Sequence, residues 1–155
     1  MGYYVTLEDS NLIIPSANLA SAYDALCALN NDNTLKSGWR GDWRNNEHND
    51  GPDPRVWFSW MEWNYPEVYD TAEGILDALG FEMGTLPDGS LEFYSYDNKT
   101  GNEDVFLAAL APYVVSGDDR EPQAVWRGED GLVWRQIVID GAMVVQSGRL
   151  TFESV

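Results

Sequence analysis

The chain has 155 residues, with 26 Asp and Glu against 9 Lys and Arg, for a formal net charge of −17. A composition that is 44% hydrophobic, with 7 Trp, 8 Tyr and 5 Phe, can bury a core, which excludes a disordered acidic tail and assigns the charge to a folded surface. Such a surface repels nucleic acid and anionic membranes, and attracts cations and basic protein grooves.

At this length a single domain over 1–155 is expected. Tyr3 to Asp9 alternates as a half-buried strand does, and Leu12-Ile13-Ile14 forms a second short run closed by Pro15. Ser16 is a candidate N-cap for a helix over 17–29, with Leu19, Ala22, Tyr23, Leu26 and Leu29 on its apolar stripe. Cys27 beside that stripe is the lone cysteine, so no internal disulfide forms, and it reads as a packed thiol in a reducing cytosol. No basic stretch followed by an apolar run opens the chain, and no segment approaches the ~20 apolar residues of a membrane helix; a cytoplasmic location is expected.

The pattern breaks at about 30–54, a polar loop rich in Asn, Asp and Gly and long enough to be functional. Across 30–55 five acids face four bases, so the rest of the chain carries 21 acids against 5 bases. Val56 to Trp63 has the composition of a central strand. Asn64 can cap a helix with Pro66 and Glu67 in its first turn, Val68, Ala72, Ile75, Leu76 and Leu79 on its apolar face, and Gly80 as its stop. A hairpin follows over 81–96 around Pro87-Asp88-Gly89, then a third helix at about 101–111 with Asn102-Glu103-Asp104 at its start. The last forty residues read as a meander of four strands, 124–127, 132–139, 143–146 and 150–153, turning at Gly128–Gly131, Asp140-Gly141 and Ser147-Gly148. The expected class is α+β: a mostly antiparallel sheet with about three helices packed on it.

Catalytic signatures are few. His48 is the only histidine, which excludes a multi-histidine zinc site and leaves one candidate base for a triad, without a Gly-x-Ser-x-Gly elbow. Lys36 and Lys99 are the only lysines, and no phosphate-cradling glycine loop accompanies either. Asp97 to Asp104 resembles a calcium loop until its positions are counted: Lys99, Gly101 and Ala108 stand where oxygen ligands are needed. Glu62 among Trp57, Trp60 and Trp63 has the aromatic surroundings that raise a carboxyl pKa, but lacks an evident partner for hydrolysis. No enzymatic activity, metal or cofactor is expected.

Two groups of residues carry the binding expectation. Trp39-Arg40 and Trp43-Arg44 repeat at a four-residue interval, and with Trp60 and Trp63 they either anchor an interface or pocket, or fold back on the core. Glu82, Asp88, Glu92, Asp118, Asp119, Glu121, Glu129, Asp130 and Asp140 decorate the hairpin and the meander turns. If they share a face, such carboxylates imitate a line of phosphates and compete for a basic groove in a salt-sensitive way; plain solubility accounts for acidity of a lesser degree.

The opening Met1-Gly2-Tyr3-Tyr4-Val5, the segment Trp57-Phe58-Ser59-Trp60-Met61, the run Tyr96 to Asp104, and Trp126-Arg127-Gly128-Glu129-Asp130-Gly131 with Trp134-Arg135 resemble small accessory proteins of tailed bacteriophages and their bacterial hosts. That group has no established activity or catalytic residues, so the resemblance implies context alone: the bacterial host cytoplasm during infection. With the charge, it leads to the expectation of a non-enzymatic inhibitor that binds a basic surface on a host nucleic-acid-handling or defence protein, without direct contact to nucleic acid or membrane. The alternative is a module binding a nucleotide or sugar in a pocket lined by Trp and Arg.

Overall fold

A computed structural model describes residues 2–41 and 51–155. Its class is α+β. In chain order the described strands and helices are β1 (Tyr4–Ser10), β2 (Leu12–Ile14), α1 (Leu19–Ala28), β3 (Gly38–Trp39), β4 (Val56–Trp57), α2 (Tyr65–Val68), α3 (Ala72–Leu79), β5 (Glu82–Thr85) and β6 (Leu91–Ser95). β7 (Asp97–Lys99), α4 (Glu103–Ala109), β8 (Val115–Ser116), β9 (Gln123–Gly128), β10 (Val133–Ile139) and β11 (Ala142–Ser147) complete them.

Among the described residues every strand pairing is antiparallel. One sheet has the order β11-β10-β9-β1-β7, a second β5-β6-β2-β8, and β3 with β4 forms a separate ribbon. The two larger sheets share two stretches of chain, because β1 runs into β2 at Asn11 and β6 into β7 at Tyr96. Asn11 secures that corner. Its Oδ1 accepts from the Gln123 amide at 2.7 Å, and its Nδ2 faces Ser116 Oγ, Asp118 Oδ1 and the Glu121 carbonyl at 2.9–3.0 Å. A buried polar side chain at a sheet corner is stable only when its donors and acceptors are met in this way.

The alternating residues Val5, Leu12, Ile14, Leu91, Phe93, Ala124 and Trp126 turn inward, where Leu26, Ile75, Leu76, Leu79, Phe106 and Leu107 of the helices meet them in one cluster. Edge-to-face rings run through it: Phe81 stacks against Phe93 at 5.2 Å and Tyr96 against Trp126 at 5.5 Å, the arrangement favoured by the ring quadrupole.

The structure departs from the sequence-based expectations at five places. The strand expected over 56–63 ends at Trp57, because the Ser59 amide goes to Asn102 Oδ1 and the Met61 amide turns back to the Phe58 carbonyl. Trp60 there sits at φ 68°, outside strand geometry. The helix expected from Asn64 to Leu79 is two helices. The Tyr23 hydroxyl donates to the Pro66 and Tyr69 carbonyls, Thr71 is extended and its Oγ1 accepts from the Gly74 amide to start α3, and Val68 is left exposed. Neither Ser16 nor Asn64 acts as a side-chain cap; a single 3-10 turn over 16–18 leads into α1. Asn102 caps nothing either, because its side chain accepts from Ser37 Oγ and the Ser59 amide and donates to the Leu35 carbonyl, stitching three segments together. Finally, 150–153 is not a strand: Gly148 donates the last ladder bond to Val133, and Leu150 and Phe152 are exposed.

Candidate functional site

The nine acids of the hairpin and meander occupy separate places. Glu129 and Asp130 sit in the β9–β10 turn, at one end of the five-stranded sheet. Asp118, Asp119 and Glu121 precede β9, and Asp140 closes the β10–β11 turn; these four lie at the opposite end, where the Val138 amide meets the Pro122 carbonyl. The length of β9 sets roughly 20 Å between the two ends. On the other sheet Glu82 opens the β5–β6 hairpin, Asp88 stands in its turn, and Glu92 lies across Gly84.

Several of these carboxylates hold the fold. Glu129 Oε1 accepts from the Tyr4 amide, and Asp130 accepts from the Tyr3 hydroxyl and the Leu132 amide, pinning the turn to the start of β1. The hydrogen bond to Asp130 pushes the Tyr3 phenol up to about 12 and holds the Asp130 carboxyl below its ordinary range. Asp88 accepts from the Ser90 amide, which likewise lowers its pKa. Asp118 takes the Arg120 guanidinium at 2.6 Å, while Asp9 takes the same group at 2.8 Å. Glu82, Glu92, Asp119, Glu121 and Asp140 hold no such bond with a described residue.

Several of the described bases are engaged as well. Arg55 pairs with Asp53, Arg127 with Glu8, and Arg135 donates to Gln146 and Gln123. Lys36 is buried, donates to the Asn30 carbonyl at 2.8 Å and Asn33 Oδ1 at 2.7 Å, and lies 5.6 Å over the Phe58 ring. Burial lowers its pKa to about 8 against the raising effect of Asp53 and Asp32.

Of the aromatic and basic anchors, Trp39 and Trp60 are exposed, Arg40 is exposed beside Trp39, and Trp63 is half-buried with its carbonyl accepting from Asn30 Nδ2. Trp57 lies against Gly38, where an added Cβ would collide with the indole nitrogen, so only glycine fits opposite it in the ribbon. Trp43, Arg44 and His48 lie outside the described residues.

One cleft was not anticipated. α1 packs against α3, and the segment at 70–72, where α3 begins, together with the β5–β6 hairpin bounds an open cleft of about 390 Å³. Leu19, Ala72 and Leu91 supply apolar lining, and the partly buried Tyr23 lines the cleft beside them. Asp24, Asp70 and Glu73 stand around it, all exposed and none bonded to a described residue. Neither Lys nor Arg lines it, and neither does Trp. The Tyr23 phenol is pushed up to about 12 by its hydrogen bond with Cys27, by burial, and by the negative charge of Asp70 and Asp24. Asp77, one helical turn beyond Glu73, extends the acidic face along α3. The sequence signal was present as acids at 70, 73 and 77, a spacing that ordinarily marks a solvated helix face. Tertiary packing gives it an apolar floor.

No family model, curated protein or solved structure matches the chain. Among the described residues no His, Cys, Asp or Glu cluster has the makings of a metal site, and no helix is long and apolar enough to cross a membrane.

Proposed function

We propose that this protein is a non-enzymatic acidic binding protein that docks on a basic surface of another protein and blocks it. The observation that carries the reading is the distribution of pairing. Arg55, Arg120 and Arg127 are held in internal ion pairs, whereas Asp24, Asp70, Glu73 and Asp77 on the α1–α3 face have no bonded partner among the described residues. An unpaired acidic face steers association with cationic surfaces and disfavours anionic ones. The resemblance to phage accessory proteins makes the target a host nucleic-acid-handling or defence protein in the bacterial cytoplasm, with the acidic face standing where phosphates would.

The experiment is capture from bacterial lysate with the whole chain as bait, washed at low and high salt. A nucleic-acid-handling protein retained at low salt, released at high salt, and inhibited in its own assay by the pure chain supports the reading. A partner held equally at both salt concentrations, or bound without inhibition, overturns it.

A further inference from the structure

We propose that the cleft between α1, the segment at 70–72 and the β5–β6 hairpin binds an organic cation: an ammonium or guanidinium group on an apolar stem. This rests on the reading of the acidic surface as a receptor for cations, and it names the chemistry one part of that surface selects.

The volume of about 390 Å³ falls in the range of small-molecule sites, and the lining divides by chemistry as such sites do. The interior offers Leu19, Ala72 and Leu91 to a stem. Tyr23 lines the same cleft, and an aromatic ring attracts a cation through its quadrupole. The Tyr23 hydroxyl is fixed to the Tyr69 carbonyl at 2.7 Å and the Pro66 carbonyl at 3.2 Å, so the side chain is held in place before a ligand arrives. Asp24, Asp70 and Glu73 line the cleft with no base among the lining residues to neutralise them. A cation gains from the field of three nearby carboxylates, a neutral ligand does not, and an anion is repelled. A free amine and a Lys or Arg side chain presented by a protein share the required chemistry.

The test is a nuclear magnetic resonance titration of the full chain with three ligands of one shape, phenethylamine, phenethyl alcohol and phenylacetate, at about 50 mM salt. The amine is expected to shift Ala20, Ala72 and Leu91 together and to bind about tenfold more tightly than the alcohol, with no shift from phenylacetate. Asp70→Asn with Glu73→Gln should weaken the amine about fivefold, while Asp119→Asn with Asp140→Asn, the same loss of charge elsewhere, should not. A capped Gly-Arg-Gly peptide shifting the same residues assigns the cation to a protein side chain; the amine alone doing so assigns it to a free amine. Equal binding of amine and alcohol, shifts scattered over the surface, or equal weakening by both variant pairs overturns the proposal. Those results leave the basic-partner reading to its own salt-dependent capture, so the two fail separately.

Discussion

The indole nitrogen of Trp126 donates to Oε1 of Gln136 at 3.0 Å inside the core, and Gln136 Nε2 reaches the Asp104 carbonyl on α4 at 3.4 Å. Trp126 is 1% exposed and Gln136 3%, so no water replaces either partner. Gln136→Leu adds apolar surface yet leaves a buried N–H without an acceptor, and is expected to cost about 1–3 kcal/mol. Denaturant unfolding should show a lower midpoint with an unchanged slope. Adding Trp126→Phe, which removes the donor, should cost less in the Gln136→Leu background than in the parent. Equal costs in both backgrounds would show that the hydrogen bond contributes nothing.

The fold class, the hairpin over 81–96 and the first three strands of the meander are legible because their signals are local. Asp140 at φ 53° followed by Gly141 at φ 79° makes the tight turn that the dipeptide announces. What sequence did not show is where backbone groups find side-chain partners distant in the chain. Asn102 takes the Ser59 amide from 43 residues away and stops a strand whose composition favours continuation. Tyr23 takes the carbonyls of Pro66 and Tyr69, 43 and 46 residues away, and ends α2 where periodicity runs on. The acids of the meander turns were conspicuous in sequence. Those of the cleft were not, since Asp24 and Asp70 come together only through the packing of α1 on α3.

Asp118 accepts from the Arg120 guanidinium, the Asn11 amide and the Arg120 backbone amide, and these hold its carboxyl far below the ordinary carboxylate range. A carboxyl depressed in the folded state contributes stability that is present above the unfolded pKa of about 3.9 and is lost as pH falls through the folded value. Asp118→Asn should therefore lower the melting temperature at pH 7, and the gap to the parent should close below about pH 4. Thermal unfolding of both proteins across that range checks it. A gap that stays constant down to the lowest pH would show that Asp118 acts through shape alone.

Lys36 is also shifted down, by burial that disfavours its charge rather than by partners that favour it. Burial lowers its pKa to about 8, below the ~10.4 of an unfolded lysine, so the folded state resists its charge. Between those two values the unfolded chain binds more protons, and this group adds stability as pH rises. Lys36→Met abolishes that contribution and also leaves the Asn30 carbonyl and Asn33 Oδ1 without their donor, at a cost of about 1–3 kcal/mol. The stability difference between parent and variant should widen from pH 8 to pH 10. A difference that narrows over the same interval would place the folded pKa of Lys36 above the unfolded one.

Charge neutralisation separates the two acidic regions. Asp24→Asn, Asp70→Asn and Glu73→Gln together remove three charges from the α1–α3 face, and Asp119→Asn, Glu121→Gln and Asp140→Asn remove three from one end of the meander. Long-range steering depends on total charge and should slow association similarly in both. Contact pairing depends on place, because charges more than a Debye length of about 8–10 Å apart are screened from each other. With the α1–α3 face against the basic partner, the first triple should speed dissociation about tenfold at low salt and flatten the salt dependence, while the second leaves dissociation unchanged. Surface plasmon resonance at two salt concentrations reads both rates. Faster dissociation from the meander triple alone would move the contact to the far end of the five-stranded sheet, where Asp118 is already committed to Arg120 and only Asp119, Glu121 and Asp140 remain to meet a cation.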